Sequence, residues 1–412
     1  MNLKRKITRF LGASVFVVSF AMAQQPHPVK FPTITGPVQI TRNNKEHLFA
    51  SYYGINSWSK NQRYVTVLET EVRFKIPDKN DQAILGMVDL STNTFIPLAE
   101  TYAWNLQQGC MTHWLATNPD SVIIYNDFRQ GKYVSVILNV FTKKELKVIP
   151  HPVGAVSPNG KEALSINFSR LRITRTDYGY DGGGQDAQQA TAFPEDDGIF
   201  LLDLQTGKAE LIVSYAKLKH LVPEIATKEG IEYIGHALFS RKGSKIFFLA
   251  RAIPARNTTA FTINKDGTNL QRCFPDNWGG SHFDWLDDDQ LMITALYDAK
   301  QDSHILFTTG KKDYKKLGKG PLDYDGHGTF SPDGNWMVTD TYPDKVTRDQ
   351  NVFLLNMKAD SVIAIGRFYT PKEYTGGWRA DIHCRWSPKG DMIGFNSTHN
   401  GTRQVYIMKL DF

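Results

Sequence analysis

The sequence predicts an all-β protein, a seven-bladed β-propeller of four-stranded antiparallel blades. Three observations lead to this prediction. One unit recurs along the chain, and four neighbouring copies begin roughly 45 residues apart or a little more, which is the length of a four-stranded blade. Each copy carries an aromatic residue, then a turn rich in Pro, Asp, Asn and Gly, then an apolar strand. Short β-rich runs separated by Asp-Gly or Thr-Gly follow, a pattern typical of β-hairpins.

The repeat is plainest in its last two copies. They read His-Gly-Thr-Phe-Ser-Pro-Asp-Gly over 327–334 and His-Cys-Arg-Trp-Ser-Pro-Lys-Gly over 383–390. A ring of such units leaves only short, protected strand edges, which favours a closed propeller. The seven units begin near Tyr53, His113, Val153, His236, His282, His327 and His383.

The last unit is one strand short, because the chain ends after the run 404–412. We expect a strand from the N-terminal segment, somewhere in Thr33 to Ala50, to complete it. The ring would then be closed by strands from both ends of the chain.

The first residues have the pattern of a secretory signal peptide. Basic residues at 4–6 and 9 precede an apolar stretch over 11–21, and Ala21-Met22-Ala23 offers a small-residue cleavage site. We therefore predict a signal peptide over 1–23, cut near Ala23, and a single propeller domain over 24–412 in the periplasm or outside the cell.

Charge and composition exclude several other classes. Removal of 1–23 takes away four basic residues, so the formal charge of +6 falls to about +2 and gives no reason to expect a nucleic-acid partner. No later apolar run approaches the ~20 residues of a membrane span. The three cysteines are widely spaced and odd in number, so we expect no disulfide framework.

One stretch, about 168–196, interrupts the repeat period between the third and fourth units. It contains Arg172, Tyr178 and Tyr180, followed by a Gly-rich run at 182–184. Long loops on a rigid scaffold are commonly functional. We expect a loop that covers the substrate, with a simple linker as the alternative.

From Ile234 onward the chain resembles oligogalacturonate lyase, a propeller enzyme of pectin breakdown, and more broadly the TolB-type propeller repeats. The matching elements are Ile-Gly-His-Ala at 234–237, Ser-His-Phe-Asp-Trp at 281–285, Gly-His-Gly-Thr-Phe-Ser-Pro-Asp-Gly at 326–334 and Asp-Ile-His-Cys-Arg-Trp-Ser-Pro at 381–388. The resemblance implies β-elimination on an oligouronide. It also implies a divalent cation, usually manganese, held by histidines and a glutamine near the central channel.

Carried over by position, the resemblance makes His236 the catalytic histidine and makes His282 and His383 metal ligands. Asp381 stands where the family has a further histidine, and Trp378 falls near the family's glutamine. The family's arginine aligns with Gly198, so we expect Arg172 or Arg379 to replace it. These departures are compatible with a different uronic-acid substrate.

β-Elimination needs a base, a positive charge at the substrate carboxylate and a proton donor for the leaving oxygen. Histidine suits the first role because its ordinary pKa is ~6.5. Arginine pairing and tryptophan stacking suit a sugar acid. We predict catalytic roles for His236, Arg172, Tyr178 and Tyr180, metal ligation by His282, Asp381 and His383, and substrate contacts from Arg379, Trp378, His113 and His327.

Manganese is the first choice of metal, with zinc or calcium as alternatives. An acidic oligosaccharide is the predicted partner. The alternative function is a non-catalytic periplasmic TolB-like propeller that binds protein or glycan, in which the repeated histidines only bond to backbone between blades. A glycoside hydrolase would need paired carboxylates across the channel, and only Asp381 stands out. We expect the other histidines, among them His47 and His304, on the surface or in loops.

Overall fold

Seven sheets of four antiparallel strands make up the computed structural model, which confirms the predicted seven-bladed propeller. The structure describes residues 29–49, 52–181, 191–221, 230–253, 258–274, 278–297 and 301–412. The predicted signal peptide over 1–23 and part of the interrupting stretch lie outside these residues.

The strands follow the chain from blade to blade. Blade one contains β2 Glu46–Phe49, β3 Tyr64–Thr70, β4 Ala83–Asp89 and β5 Thr94–Thr101. Blade two contains β6 His113–Trp114, β7 Val122–Arg129, β8 Lys132–Asn139 and β9 Glu145–Ile149. Blade three contains β10 Ala155–Val156, β11 Glu162–Ser165, β12 Gly198–Asp203 and β13 Ala209–Ser214.

The next three blades contain β14 Gly230–Phe239, β15 Lys245–Ile253, β16 Thr258–Asn264 and β17 Gln271–Arg272; β18 Ser281–Trp285, β19 Gln290–Ala295, β20 Ser303–Thr308 and β21 Lys315–Lys316; and β22 Thr329–Phe330, β23 Trp336–Asp340, β24 Asp349–Asn356 and β25 Ser361–Tyr369. The seventh contains β26 Arg385–Trp386, β27 Met392–Ser397, β28 Gln404–Asp411 and, from the N-terminal segment, β1 Thr33–Gln39.

The ring is closed by β1, which pairs antiparallel with β28, Ile34 opposite Leu410 and Val38 opposite Ile407. This confirms the predicted completion of the last blade by an N-terminal strand. The core lies between neighbouring blades, where both faces of the second strands are buried, as along all of β3 and β23. Fourth strands such as β5 and β25 are only partly buried.

The structure corrects the predicted starting points of the first two units, Tyr53 and His113. Blade one begins at β2, before Tyr53. In blade two, the Asn126 N–H donates to the Cys110 carbonyl just as the Asn396 N–H donates to that of Ile382. Met111 is therefore the equivalent of His383, and His113 lies two residues further along the strand.

The interrupting stretch joins β11 to β12 and begins with a helix, α1 Phe168–Thr174, where we expected only loop. The Asn167 side chain caps α1 by accepting the Arg170 N–H at 2.9 Å. A second helix, α2 Tyr215–Leu221, follows β13. Neither these helices nor any other within the described ranges has the length and apolar character needed to cross a membrane.

Two histidines that we expected at the surface are buried. His47 lies in β2 and His304 in β20, and both have 0% exposure. Their strands are the first and third of their blades, where side chains pack against the neighbouring sheet.

Candidate metal centre and substrate site

Blades four to seven carry a histidine at one shared position, three residues before the aromatic residue that ends the first strand. His236, His282 and His383 have φ values of 56°, 28° and 49° there, a left-handed conformation that is rare for residues other than glycine. The ladders of β14 and β18 shift register at this point. Such bulges redirect side chains and are common beside functional sites.

The histidines of blades five, six and seven are in contact. The ring centroid of His327 lies 4.0 Å from that of His282 and 4.1 Å from that of His383. His236 is reached through Tyr52, whose hydroxyl lies 3.3 Å from His236 Nδ1 and whose ring centroid lies 5.2 Å from that of His383. The inner strands thus bring one continuous group of rings to the channel.

His327, Asp381 and His383 form a candidate metal site. Their ligand atoms all lie within 4.8 Å of one another, and all three residues are buried. Within the described residues, neither Nε2 of His383 nor Oδ1 of Asp381 has a hydrogen-bond partner. Leaving such an atom unpaired costs about 1–3 kcal/mol. Two imidazoles and a carboxylate suit manganese or zinc, so these residues fit a divalent cation.

A buried carboxylate orients His327 within this group. Oδ1 of Asp340 lies 2.7 Å from His327 Nδ1 and accepts the His327 backbone N–H at 2.9 Å. Burial acts to lower the pKa of His327, but the Asp340 carboxylate outweighs it and raises that pKa. With Nδ1 engaged, Nε2 of His327 is left for a ligand, as in many carboxylate–histidine–metal arrangements.

His282 has a different arrangement. Its Nδ1 lies 2.7 Å from Oδ1 of Asp325, and its Nε2 lies 3.2 Å from the Tyr342 hydroxyl. Both ring nitrogens therefore have partners within the chain. His282, a predicted ligand, lies beside the three-residue site, whereas His327, a predicted substrate contact, is part of it.

Two arginines connect the interrupting stretch to the candidate metal site. Arg379 Nε donates to Asp381 at 2.8 Å, while its other nitrogens donate to Asp177 at 3.2 Å and to the Tyr178 hydroxyl at 3.1 Å. Arg175 donates to Asp177 at 3.2 and 3.1 Å and lies 4.4 Å over the Tyr178 ring. The two arginine side chains remain 21% and 24% exposed, so a ligand can reach them.

The other predicted site residues lie elsewhere. Arg172 donates to the Thr176 carbonyl and to Asp181. Tyr180 is buried, stacked on Phe168 at 4.2 Å and bonded to Asn126. Trp378 donates to the Glu373 carbonyl and packs against the core of blades one and two. His113 is buried, and its Nδ1 accepts the Asn56 N–H at 3.4 Å.

Several site residues escaped the sequence analysis: Tyr52, Arg175, Asp177, Asp325, Asp340 and Tyr342. For one of these residues, Asp340, the sequence contains a feature that could have identified it. Asp340 ends the second strand of its blade, where blades two and seven have Asn126 and Asn396, so a polar residue at this position is a feature of the repeat.

No protein-family model matches the sequence, and no curated protein matches it. Similarity appears at the level of structure. The chain is similar in fold to oligogalacturonate lyase. The enzyme from Vibrio parahaemolyticus superposes with a TM-score of 0.63 at 14% identity, covering 92% of this chain and 97% of that one.

A second solved structure, an oligogalacturonate lyase in complex with manganese, has a TM-score of 0.66 at 15% identity and covers 92% of this chain and 96% of its own. TolB from Acinetobacter baumannii matches at a TM-score of 0.44 and 15% identity, covering 85% and 80%. The resemblance that the sequence suggested over its C-terminal half thus extends, as a fold, along most of the chain.

Proposed function

We propose that this protein is a secreted, metal-dependent polysaccharide lyase that cleaves oligogalacturonate or a related oligouronide by β-elimination. The observation that carries the proposal is the buried group His327, Asp381 and His383, with two unpartnered ligand atoms beside two partly exposed arginines. Buried polar atoms are in most cases hydrogen-bonded, so two unpartnered ligand atoms in one cluster favour a bound cation there.

In the proposed site, His327, Asp381 and His383 would hold the cation, with manganese as the first candidate because the similar lyase binds it. When bound, such a cation neutralises the substrate carboxylate and the charge that develops beside it. His282 lines the same site and keeps Asp325 and Tyr342 in place.

Of the two candidates for the family's arginine, Arg172 and Arg379, we assign the carboxylate-binding role to Arg379, together with Arg175. Both guanidinium groups are fixed by Asp177, and part of each is open to a ligand. Because arginine forms paired hydrogen bonds to carboxylates, these side chains would orient the uronate ring.

His236 is the proposed base. Burial holds the pKa of His236 well below its usual range, and the positive charges of the nearby Arg175 and Arg251 lower that pKa further. The ring is therefore neutral and able to accept a proton. When Nδ1–H donates to the Tyr52 oxygen, Nε2 is free to take the proton next to the carboxylate. The electrons of that C–H bond form a carbon–carbon double bond, and the C–O bond to the leaving sugar breaks.

We assign the protonation of the leaving oxygen to Tyr178 rather than to Tyr180. Its hydroxyl accepts a hydrogen bond from Arg379, which leaves the O–H proton available to another acceptor. Its ring centroid lies 5.1 Å from that of His236, so the proposed base and acid are neighbours.

Metal analysis and product absorbance test this proposal. Purified protein should contain a divalent metal, and incubation with oligogalacturonate should produce the ultraviolet absorbance of an unsaturated uronate. The variant His383→Ala should lose both properties, whereas His399→Ala should keep them, because His399 lies in the same blade but its side chain is hydrogen-bonded to Ser397. If metal-loaded protein gives no such absorbance with oligogalacturonate, glucuronan or alginate fragments, the binding-protein alternative replaces the lyase.

A further inference from the structure

The opposite mouth of the central channel holds a second cavity of about 480 Å³. Every blade contributes a residue to its lining, from the first strand or the turn that follows, so the cavity lies on the propeller axis. It continues into a space of about 260 Å³ that shares Arg241 and Asp284 and is also lined by His113 and Trp285. None of the four repeated histidines lines either cavity.

One buried ring separates this mouth from the candidate metal centre. The Tyr53 ring centroid lies 6.1 Å from that of His282 on the metal side. The guanidinium carbon of Arg385, which lines the second cavity, lies 5.5 Å from the same ring. Tyr53 is only 5% exposed, so the channel is filled at this level and the two mouths are separate sites.

The second cavity has an excess of positive charge. Lys60, Arg241 and Arg385 line it against a single carboxylate, Asp284. That carboxylate already accepts the backbone N–H groups of Trp285 and Phe330 and a hydrogen bond from Arg241. An anionic ligand would therefore meet three cations and one carboxylate whose oxygens already accept hydrogen bonds.

Two residues that line this adjoining space have a buried nitrogen without a hydrogen-bond partner among the described residues: Nε2 of His113 and Nε1 of Trp285. Burial lowers the pKa of His113 to about 3, so the ring is neutral. Its Nδ1 accepts the Asn56 N–H, which leaves the ring proton on Nε2. Both groups are thus N–H donors in need of an acceptor, and a ligand rich in oxygen would supply it.

We propose that this mouth is a second binding site, for a single sugar acid. Arg241, Arg385 and Lys60 would recognise its carboxylate, and His113 and Trp285 would donate to its ring or hydroxyl oxygens. The volume lies within the range of small-molecule sites, and the lining Trp386 offers an aromatic face for a sugar ring. The site shares no residue with the proposed lyase centre, so it stands or falls independently of that function.

Calorimetric titration of the metal-stripped protein with galacturonate tests the proposal. Galacturonate should bind about tenfold or more tightly than galactose, which has the same ring without the carboxylate. Lys60→Glu and Trp285→Phe should each weaken galacturonate binding about tenfold, while Lys132→Glu, an exposed charge reversal in blade two, should leave it unchanged. Trp285→Phe removes a donor that has no partner among the described residues and keeps an aromatic ring in the core, so the fold should tolerate it.

His383→Ala should retain this binding, which distinguishes it from an uptake of galacturonate by the metal centre. Inorganic phosphate is the remaining probe, because the same cations would attract it. Phosphate binding as tight as galacturonate binding would overturn the sugar-acid assignment. Absence of galacturonate binding, or binding that Lys60→Glu and Trp285→Phe do not change, would overturn the site itself.

Discussion

Oδ1 of Asp340 lies 2.7 Å from Nδ1 of His327, and neither side chain is more than 4% exposed. The other carboxylate oxygen of Asp340 accepts the backbone N–H of His383 at 2.7 Å. One side chain therefore links two blades and orients a candidate ligand. In blades two and seven the equivalent residues, Asn126 and Asn396, also accept a backbone N–H group of the next blade, those of Val153 and Phe49.

Asp340→Asn should weaken manganese binding about 10–100-fold, because an amide cannot stabilise the ligand imidazole as a carboxylate does. The amide NH₂ also cannot accept a backbone N–H, so stability should fall by about 1–3 kcal/mol. Calorimetric metal titration of the folded variant measures the first effect. Asp349→Asn, in the same blade but paired with Arg367, is the matched control. Equal affinities in the two variants would contradict the orienting role.

Asp177→Asn should raise the KM for oligogalacturonate about tenfold, because Asp177 holds both Arg175 and Arg379 in place. Asp181→Asn is the control, since Asp181 pairs with Arg172 in the same stretch of chain. Steady-state kinetics with the two variants distinguishes the two arginine assignments. A larger effect at Asp181 would return the carboxylate-binding role to Arg172.

The blade count, the closing strand and the shared histidine position could all be predicted, because they follow from a repeat whose spacing is visible in the sequence. The same reliance on the repeat led us to align His113 wrongly with the four repeated histidines. Its aromatic neighbour Trp114 is adjacent, whereas the aromatic residue follows His236, His282, His327 and His383 by three positions. The register of β6 with β7 shows that His113 lies two residues beyond the shared histidine position.

The composition of the site could be predicted only in part. Whether His282 or His327 joins Asp381 and His383 depends on the distances between side chains of neighbouring blades, which the spacing of residues in the sequence does not reveal. Arg172 and Arg175 are three residues apart, and only the end of α1 sends Arg175 toward Asp177 and Tyr178. Tyr52 lies in the N-terminal part of the chain, more than 180 residues from His236, so the spacing of the repeat gives no sign of their contact.

Ile40→Ala tests the closure of the ring. Ile40 follows β1, is 4% exposed, and packs with Val405 and Ile407 of the last blade. Its truncation should cost about 3 kcal/mol in unfolding free energy, by loss of buried surface and creation of a cavity. Val38→Ala, on the same segment but 51% exposed, should cost less than about 0.5 kcal/mol. Denaturant unfolding of both variants measures the difference, and equal costs would contradict closure by this segment.

His304 should make the protein sensitive to acid. Its Nδ1 lies 3.1 Å from the Leu322 carbonyl and its Nε2 lies 2.9 Å from the Thr339 hydroxyl, and burial lowers its pKa to about 4. The unfolded chain takes up this proton near the ordinary value of ~6.5. Between these values the unfolded state binds more protons, so the unfolding free energy should fall by up to about 1.4 kcal/mol per pH unit as the pH drops.

His304→Gln keeps a donor and an acceptor but cannot titrate, so its stability should decline less from pH ~6.5 to ~4 than that of the wild type. Exposed His220→Gln should follow the wild-type curve, and parallel curves for all three proteins would contradict the assignment.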